Sequence, residues 1–132
     1  MHQLVLRPIQ GNYVICKLDP QHDVTPWLAK VGQSEGFYSI TRTEDELSIV
    51  CHESDAPDFA EVESGWWMLR IVGTLAFDLT GIVASITSAI AGAEVGVFVI
   101  STYDTDYILV KSHDFSQAVD AIRNAGHVVE SA

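Results

Sequence analysis

One stretch of this chain occurs twice. Residues 37–50 (FYSITRTEDELSIV) align without a gap on residues 97–110 (VFVISTYDTDYILV), an offset of 60 residues. Each copy reads as an apolar run, a short bend rich in hydroxyls and carboxylates, and a second apolar run, which is the pattern of a β-hairpin. A duplicated hairpin predicts two related units within one chain. A chain of 132 residues is long enough for one ordinary domain, or for two half-size units that share a core.

The flanks of the hairpins carry the duplication further. Asn12 to Leu18 reads as a strand, followed by a short helix over Asp23 to Val31. Trp66 to Val72 reads as a strand, followed by a longer helix over Leu79 to Ala91. Leu79, Ile82, Val83, Ile86 and Ile90 fall on one face of that helix, and Ser85, Thr87 and Ser88 on the other. A further helix carries Phe115, Ala118, Val119 and Ile122, with Asp114 placed to cap its first turn and Gly126 to end it in a left-handed conformation. Val128 and Val129 form a last short strand. The second unit is therefore βαββαβ, a ferredoxin-like order with helices on one face of an antiparallel sheet. The first unit opens with an extra strand, Gln3 to Ile9, turning at Gln10-Gly11-Asn12, and its second helix is expected to be short, within Ala56 to Glu63. The fold class is α+β, divided at residues 1–64 and 65–132.

Charge excludes several functions. Seven Lys and Arg against 18 Asp and Glu give a net charge of −11. The cations are scattered and no two are adjacent, so neither nucleic acid nor an anionic membrane surface is an expected partner. No apolar run reaches the roughly 18 residues needed to span a bilayer, and Met1-His2-Gln3-Leu4 lacks the basic start of a secretory signal. Cys16 and Cys51 lie in strand-like runs and read as two buried free thiols of a cytoplasmic protein, with a disulfide as the alternative. The five histidines show no zinc-ligand spacing, and no metal or cofactor is expected. Cys51 and His52 are strand neighbours pointing to opposite faces, so they make no thiolate–imidazole pair.

Two constellations carry chemistry. In Phe77-Asp78-Leu79-Thr80-Gly81-Ile82, Asp78 or Thr80 can cap a helix, and Gly81 lets the backbone approach a group at the helix start, a position suited to a carboxylate. In Ser101-Thr102-Tyr103-Asp104-Thr105-Asp106, two carboxylates lie between apolar strands, and Asp104 or Asp106 can hold an ammonium. A carboxylate site facing an ammonium site describes an α-amino acid. Read alone, the first is an ordinary capped helix and the second a solvated turn.

Asp78-Leu79-Thr80-Gly81-Ile82-Val83-Ala84-Ser85-Ile86 resembles the helix-start motif of the ACT-domain family: an Asp, two residues, a Gly, then aliphatic and small residues. With Leu75 to Ile90, Val99 to Thr102 and Thr105 to Val110, the chain resembles tandem-ACT proteins of the cytosolic arginine-sensor type and the regulatory ends of aspartate kinases. The likeness is good over residues 65–130 and looser before them. The resemblance implies two tandem ferredoxin-like ACT units and a non-catalytic regulatory role, with an amino acid held at an ACT–ACT interface. Carried onto matching positions, it implies contacts from Asp78, Leu79, Thr80, Gly81, Ile82, Thr102, Tyr103, Asp104, Thr105 and Asp106. Asp19-Pro20-Gln21-His22-Asp23 lacks the glycine, so the first unit departs from the motif. Exposed sheet edges and the frequency of isologous pairing predict a homodimer. With no catalytic domain alongside, output passes to a separate protein. The alternative function is a structural or protein-interaction module that binds no ligand.

Overall fold

The computed structural model describes residues 3–32, 36–73 and 81–131. In chain order the elements are β1 (Val5–Leu18), α1 (Thr25–Val31), β2 (Ser39–Arg42), β3 (Leu47–His52), β4 (Glu61–Ile71), α2 (Ile82–Gly92), β5 (Phe98–Ser101), β6 (Asp106–Lys111), α3 (Phe115–Asn124) and β7 (Val128–Val129). The protein is α+β, with helices set against antiparallel strands. It divides into two compact units: Asn12–Gly65, and a larger one made of Met1–Gly11 with Trp66–Ala132.

In the larger unit β6 pairs antiparallel with β4 on one side and with β5 on the other. Leu69, Ile71, Ile108, Val110 and Val99 share one face of these strands and pack with Ile82, Ile86 and Ile90 of α2 and Ala118, Val119 and Ile122 of α3. The heptad-like spacing seen in α2 and α3 is what puts those aliphatics on one stripe. The opposite face carries Trp66, Met68 and Arg70 of β4, facing Lys111, Leu109 and Tyr107 of β6 in register, with Phe98 and Ile100 beyond them on β5. Met68 and Leu109 are fully buried there.

The first residues of the chain complete this unit, although the sequence places Gln3 to Ile9 at the head of the other one. Val5 and Leu6 pair parallel with Val128 and Val129. The Leu4 and Leu6 carbonyls accept from Val128 and Glu130 N–H, while the Val5 carbonyl accepts from Val72 N–H at 2.8 Å. Alternate carbonyls of one strand point to opposite neighbours, so this segment lies between β7 and the end of β4. Leu4 and Leu6 bury their side chains in the helix-facing core, which is the physical reason for the placement. The buried His127 fastens the arrangement. Its Nδ1 accepts from Leu4 N–H at 3.0 Å, so Nε2 carries the proton and donates to Ser85 Oγ at 2.7 Å.

In the smaller unit β3 lies between β1 and β2, both antiparallel to it. Val14, Cys16, Leu18, Leu47, Ile49 and Cys51 pack with Trp27 and Val31 of α1. Trp27 is the buried face of that helix, and its indole N–H donates to the Asp55 carbonyl at 2.7 Å. Tyr13 and His52 stack on the other face with ring centroids 4.4 Å apart, so Cys51 and His52 do part to opposite faces. Residues 53–55 form a 3-10 turn and β4 begins at Glu61. The short helix expected within Ala56 to Glu63 is therefore absent. Pro57 removes an N–H there, and the stretch is too brief to nucleate a helix.

Three further expectations change. The turn at Gln10-Gly11-Asn12 does not form: β1 runs straight through it. Gly11 takes φ 116° and Gly65 takes φ 84°, and these two glycines stand where β1 and β4 pass from one unit into the other. Only a residue without Cβ adopts that conformation inside a strand at little cost. Asp114 makes no side-chain cap, because a 3-10 turn over Ser112–Asp114 leads directly into α3. Gly126 is left-handed at φ 97°, as expected. Finally, the repeat is offset by 59 residues, not 60: Ser39–Arg42 answers to Phe98–Ser101, Leu47–His52 to Asp106–Lys111, and the two 3-10 turns to each other. Strands β3 and β6 are buried on both faces, so their sequence lacks the alternation that would set register.

Two outcomes are expected. Replacing His127 by Leu leaves a buried Leu4 N–H without an acceptor and costs about 1–3 kcal/mol of unfolding free energy, measurable by urea titration. Cys16 and Cys51 are free and buried. The hydrogen bond between them pushes the Cys51 thiol up and holds the Cys16 thiol down, but both are closed off from solvent in the core, so thiol reagents are expected to label the chain only at the rate at which it opens.

Candidate ligand-binding site

The bend between β5 and β6 is built by threonine. Thr102 N–H donates to the Thr105 carbonyl at 2.8 Å, and Thr102 Oγ1 both donates to that carbonyl and accepts from Thr105 N–H. Thr43 and Glu46 close the other hairpin in the same way. Thr105 is itself buried, and its hydroxyl donates to the Ile71 carbonyl at 2.7 Å. That bond ties the bend to the last residue of β4, the strand that leads towards the start of α2.

The bend sorts its carboxylates. Asp106 is buried and accepts a hydrogen bond from Ser101 Oγ. Asp104 is exposed, and Tyr103 is 80 % exposed beside it. Of the five residues expected here, Thr102, Thr105 and Asp106 thus spend their polar atoms on holding the bend, while Tyr103 and Asp104 are exposed. Asp104 is the exposed carboxylate of the bend.

At the helix start, Gly81 takes φ 76° and offers no side chain to cap α2. Its carbonyl accepts from Ser85 N–H at 2.9 Å, and Ile82 turns into the core. Asp78, Leu79 and Thr80 lie outside the described residues. Both constellations belong to the larger unit. Among the described residues no hydrogen bond or ion pair joins Gly81 or Ile82 to the bend. The sequence placed Ser101 in this constellation without its role of orienting Asp106, and gave no sign of the Ile71 carbonyl that anchors Thr105. The hydroxyl flanking the acidic run was the available signal for the first; a backbone acceptor leaves none for the second.

The corresponding corner of the smaller unit is filled from within. Arg42 of β2 donates to the Pro20 carbonyl and, at 2.9 Å, to the His22 carbonyl. Gln21 N–H donates to Asp19 Oδ1 at 2.8 Å. An internal guanidinium therefore occupies the loop that departs from the glycine motif. Among the described residues there is no cluster of metal-ligating side chains, and no helix is long and apolar enough to cross a membrane.

With the βαββαβ order and the two constellations in place, the comparison with known proteins defines the class. The profile of the ACT domain matches residues 61–124, and a second profile, of an N-terminal domain, matches residues 11–58. Residues 61–124 belong to the ACT-domain family. It is similar to an Agobacterium tumefaciens protein of known crystal structure, with 38 % identity, a TM-score of 0.88, and coverage of 98 % of this chain and 94 % of that one. It is 28 % identical over 96 residues to rat cytosolic arginine sensor for mTORC1 subunit 1, covering 65 % of this chain. The chain spans 29 % of the length of that relative. The ligand-free regulatory subunit of aspartate kinase from Thermus thermophilus shares the fold, with a TM-score of 0.66 at 9 % identity over 92 % of this chain and 96 % of that one. By name the second of these is an arginine sensor and the third a regulatory subunit.

Replacing Thr105 by Val removes the hydroxyl that holds the bend to β4 and leaves the Ile71 carbonyl unpaired. The expected cost is about 1–3 kcal/mol of stability, read by denaturant titration, with the amide resonances of residues 102–106 and 71–73 moving together.

Proposed function

We propose that this protein is a non-catalytic regulatory module that binds an amino acid against a neighbouring ACT unit. The ligand's ammonium is held by Asp104 of the bend. Its carboxylate lies at the start of α2, contacted by Asp78, Leu79, Thr80, Gly81 and Ile82. Thr102 and Tyr103 border the ligand, while Thr105 and Asp106 hold the bend in shape. The chain acts in the cytoplasm as a homodimer and passes its signal to a separate protein. One observation supports this reading above the others: the Thr105–Ile71 hydrogen bond keeps the acidic bend at the end of the strand that leads to Gly81.

Thermal unfolding in the presence of each of the twenty amino acids tests it. A ligand at a hundred times its Kd adds about 2.7 kcal/mol, a rise of roughly 5–15 °C for a chain of this size. Asp104→Asn is expected to weaken that ligand at least about tenfold, the loss of one charged contact, while leaving the ligand-free protein within about 0.5 kcal/mol of the parent because the position is exposed. No shift with any amino acid at millimolar concentration leaves the ligand-free interaction module as the function.

A further inference from the structure

The sheet face of the larger unit that turns away from its helices holds an unusual set of donors. Trp66 Nε1 and Arg70 Nε are both buried, and neither has a hydrogen-bond partner among the described residues. Buried donors are almost always paired, and a buried cation is ordinarily found with a counter-charge. Arg7 of β1 shares this face by alternation from Leu6 and is ion-paired with Glu130 at 3.0 Å; the eight positions on β4, β5 and β6 include two cations, Arg70 and Lys111, and no carboxylate. That is unexpected in a chain with a net charge of −11. Lys111 Nζ lies 4.8 Å from the centre of the Trp66 ring, which leaves Arg70 as the cation without a described partner.

The smaller unit provides an internal control. The register that sets Trp66 opposite Lys111 and Arg70 opposite Tyr107 sets Tyr13 opposite His52 and Lys17 opposite Ser48. There the donor is satisfied, since Tyr13 OH and His52 Nε2 are 3.3 Å apart, and Lys17 is exposed to water. The same positions therefore carry a solvated lysine in one unit and, in the other, a partly buried arginine with no partner among the described residues.

We propose that Arg70 is the receptor for a carboxylate: a small organic acid docks on this face at the Arg70–Tyr107 end, the end from which β6 leads back into the 102–106 bend. Nε is buried, Arg70 as a whole is only partly so, and a guanidinium can offer a carboxylate two parallel N–H donors. The site is separate from the amino-acid reading above and does not rest on it.

The test is thermal unfolding of the full chain in acetate, succinate and inorganic phosphate, each against chloride at equal ionic strength, for the parent, Arg70→Met, Arg70→Gln and Lys17→Met. The parent is expected to gain stability saturably with a carboxylate. Both Arg70 variants should lose at least about tenfold in apparent affinity, the loss of a charge-assisted contact, and Lys17→Met should respond as the parent does. In chloride alone Arg70→Met should be no less stable than the parent, since it removes a partly buried cation with no partner among the described residues. A parent that answers to no carboxylate overturns the proposal, as does a carboxylate response that survives in Arg70→Gln. Phosphate acting where carboxylates do not overturns the ligand class. An amino-acid response retained in both Arg70 variants alongside a lost organic-acid response supports two separate sites. An organic-acid response with no amino-acid response supports the Arg70 site while the amino-acid reading fails.

Discussion

Antiparallel pairing of Trp66–Arg70 with Tyr107–Lys111 governs the larger unit. Successive side chains of a strand point to opposite faces. Once Leu69 stands opposite Ile108, that face must carry the aliphatics that meet α2 and α3. Met68, Leu109, Trp66 and Arg70 are then committed to the other face. The same register puts Ile71 beside the bend, where its carbonyl receives the Thr105 hydroxyl. A slip of one residue would send Arg70 into the helix-facing core and detach the bend from β4. Core, bend and donor face thus follow from one pairing.

The two units share a hairpin design and have diverged in what they do with its polar ends. Both bends are closed by a threonine that bonds the residue three positions on. In the smaller unit Arg42 is spent on the carbonyls of Pro20 and His22, and Tyr13 is satisfied by His52. In the larger unit the equivalent of Arg42 is Ser101, whose short hydroxyl reaches only Asp106. Its strand face holds Trp66 Nε1 and Arg70 Nε, two buried donors without a partner among the described residues. The polar ends are satisfied internally in one copy, while in the other these two buried donors have no partner among the described residues.

Much of the architecture was legible along the chain. The two hairpins, α1, α3 and the terminal strand are local structures, and each is announced by periodicity or by a turn residue near to it in sequence. The ACT likeness rested on such local signals, above all the glycine at 81 among aliphatic residues. The candidate site was legible only in part. Asp104 is read from its bend, but the division of labour between Asp104 and Asp106 depends on which strand face each occupies. The 60-residue offset failed by one for the same reason, since an apolar run buried on both faces looks alike in either register.

What the amino-acid order determined by itself is the set of short-range choices: a duplicated strand–bend–strand pattern, amphipathic helices, a strongly acidic surface and the family to which these belong. Only the folded chain decided that residues 3–9 join the larger unit, because Leu4, Leu6 and the N–H that bonds His127 find their partners more than a hundred positions away. It also decided that Arg70 is left without a described counter-charge while Lys17 at the matching position is solvated. Those outcomes depend on burial and on pairing between distant strands, and neither is encoded in the neighbours of a residue along the sequence.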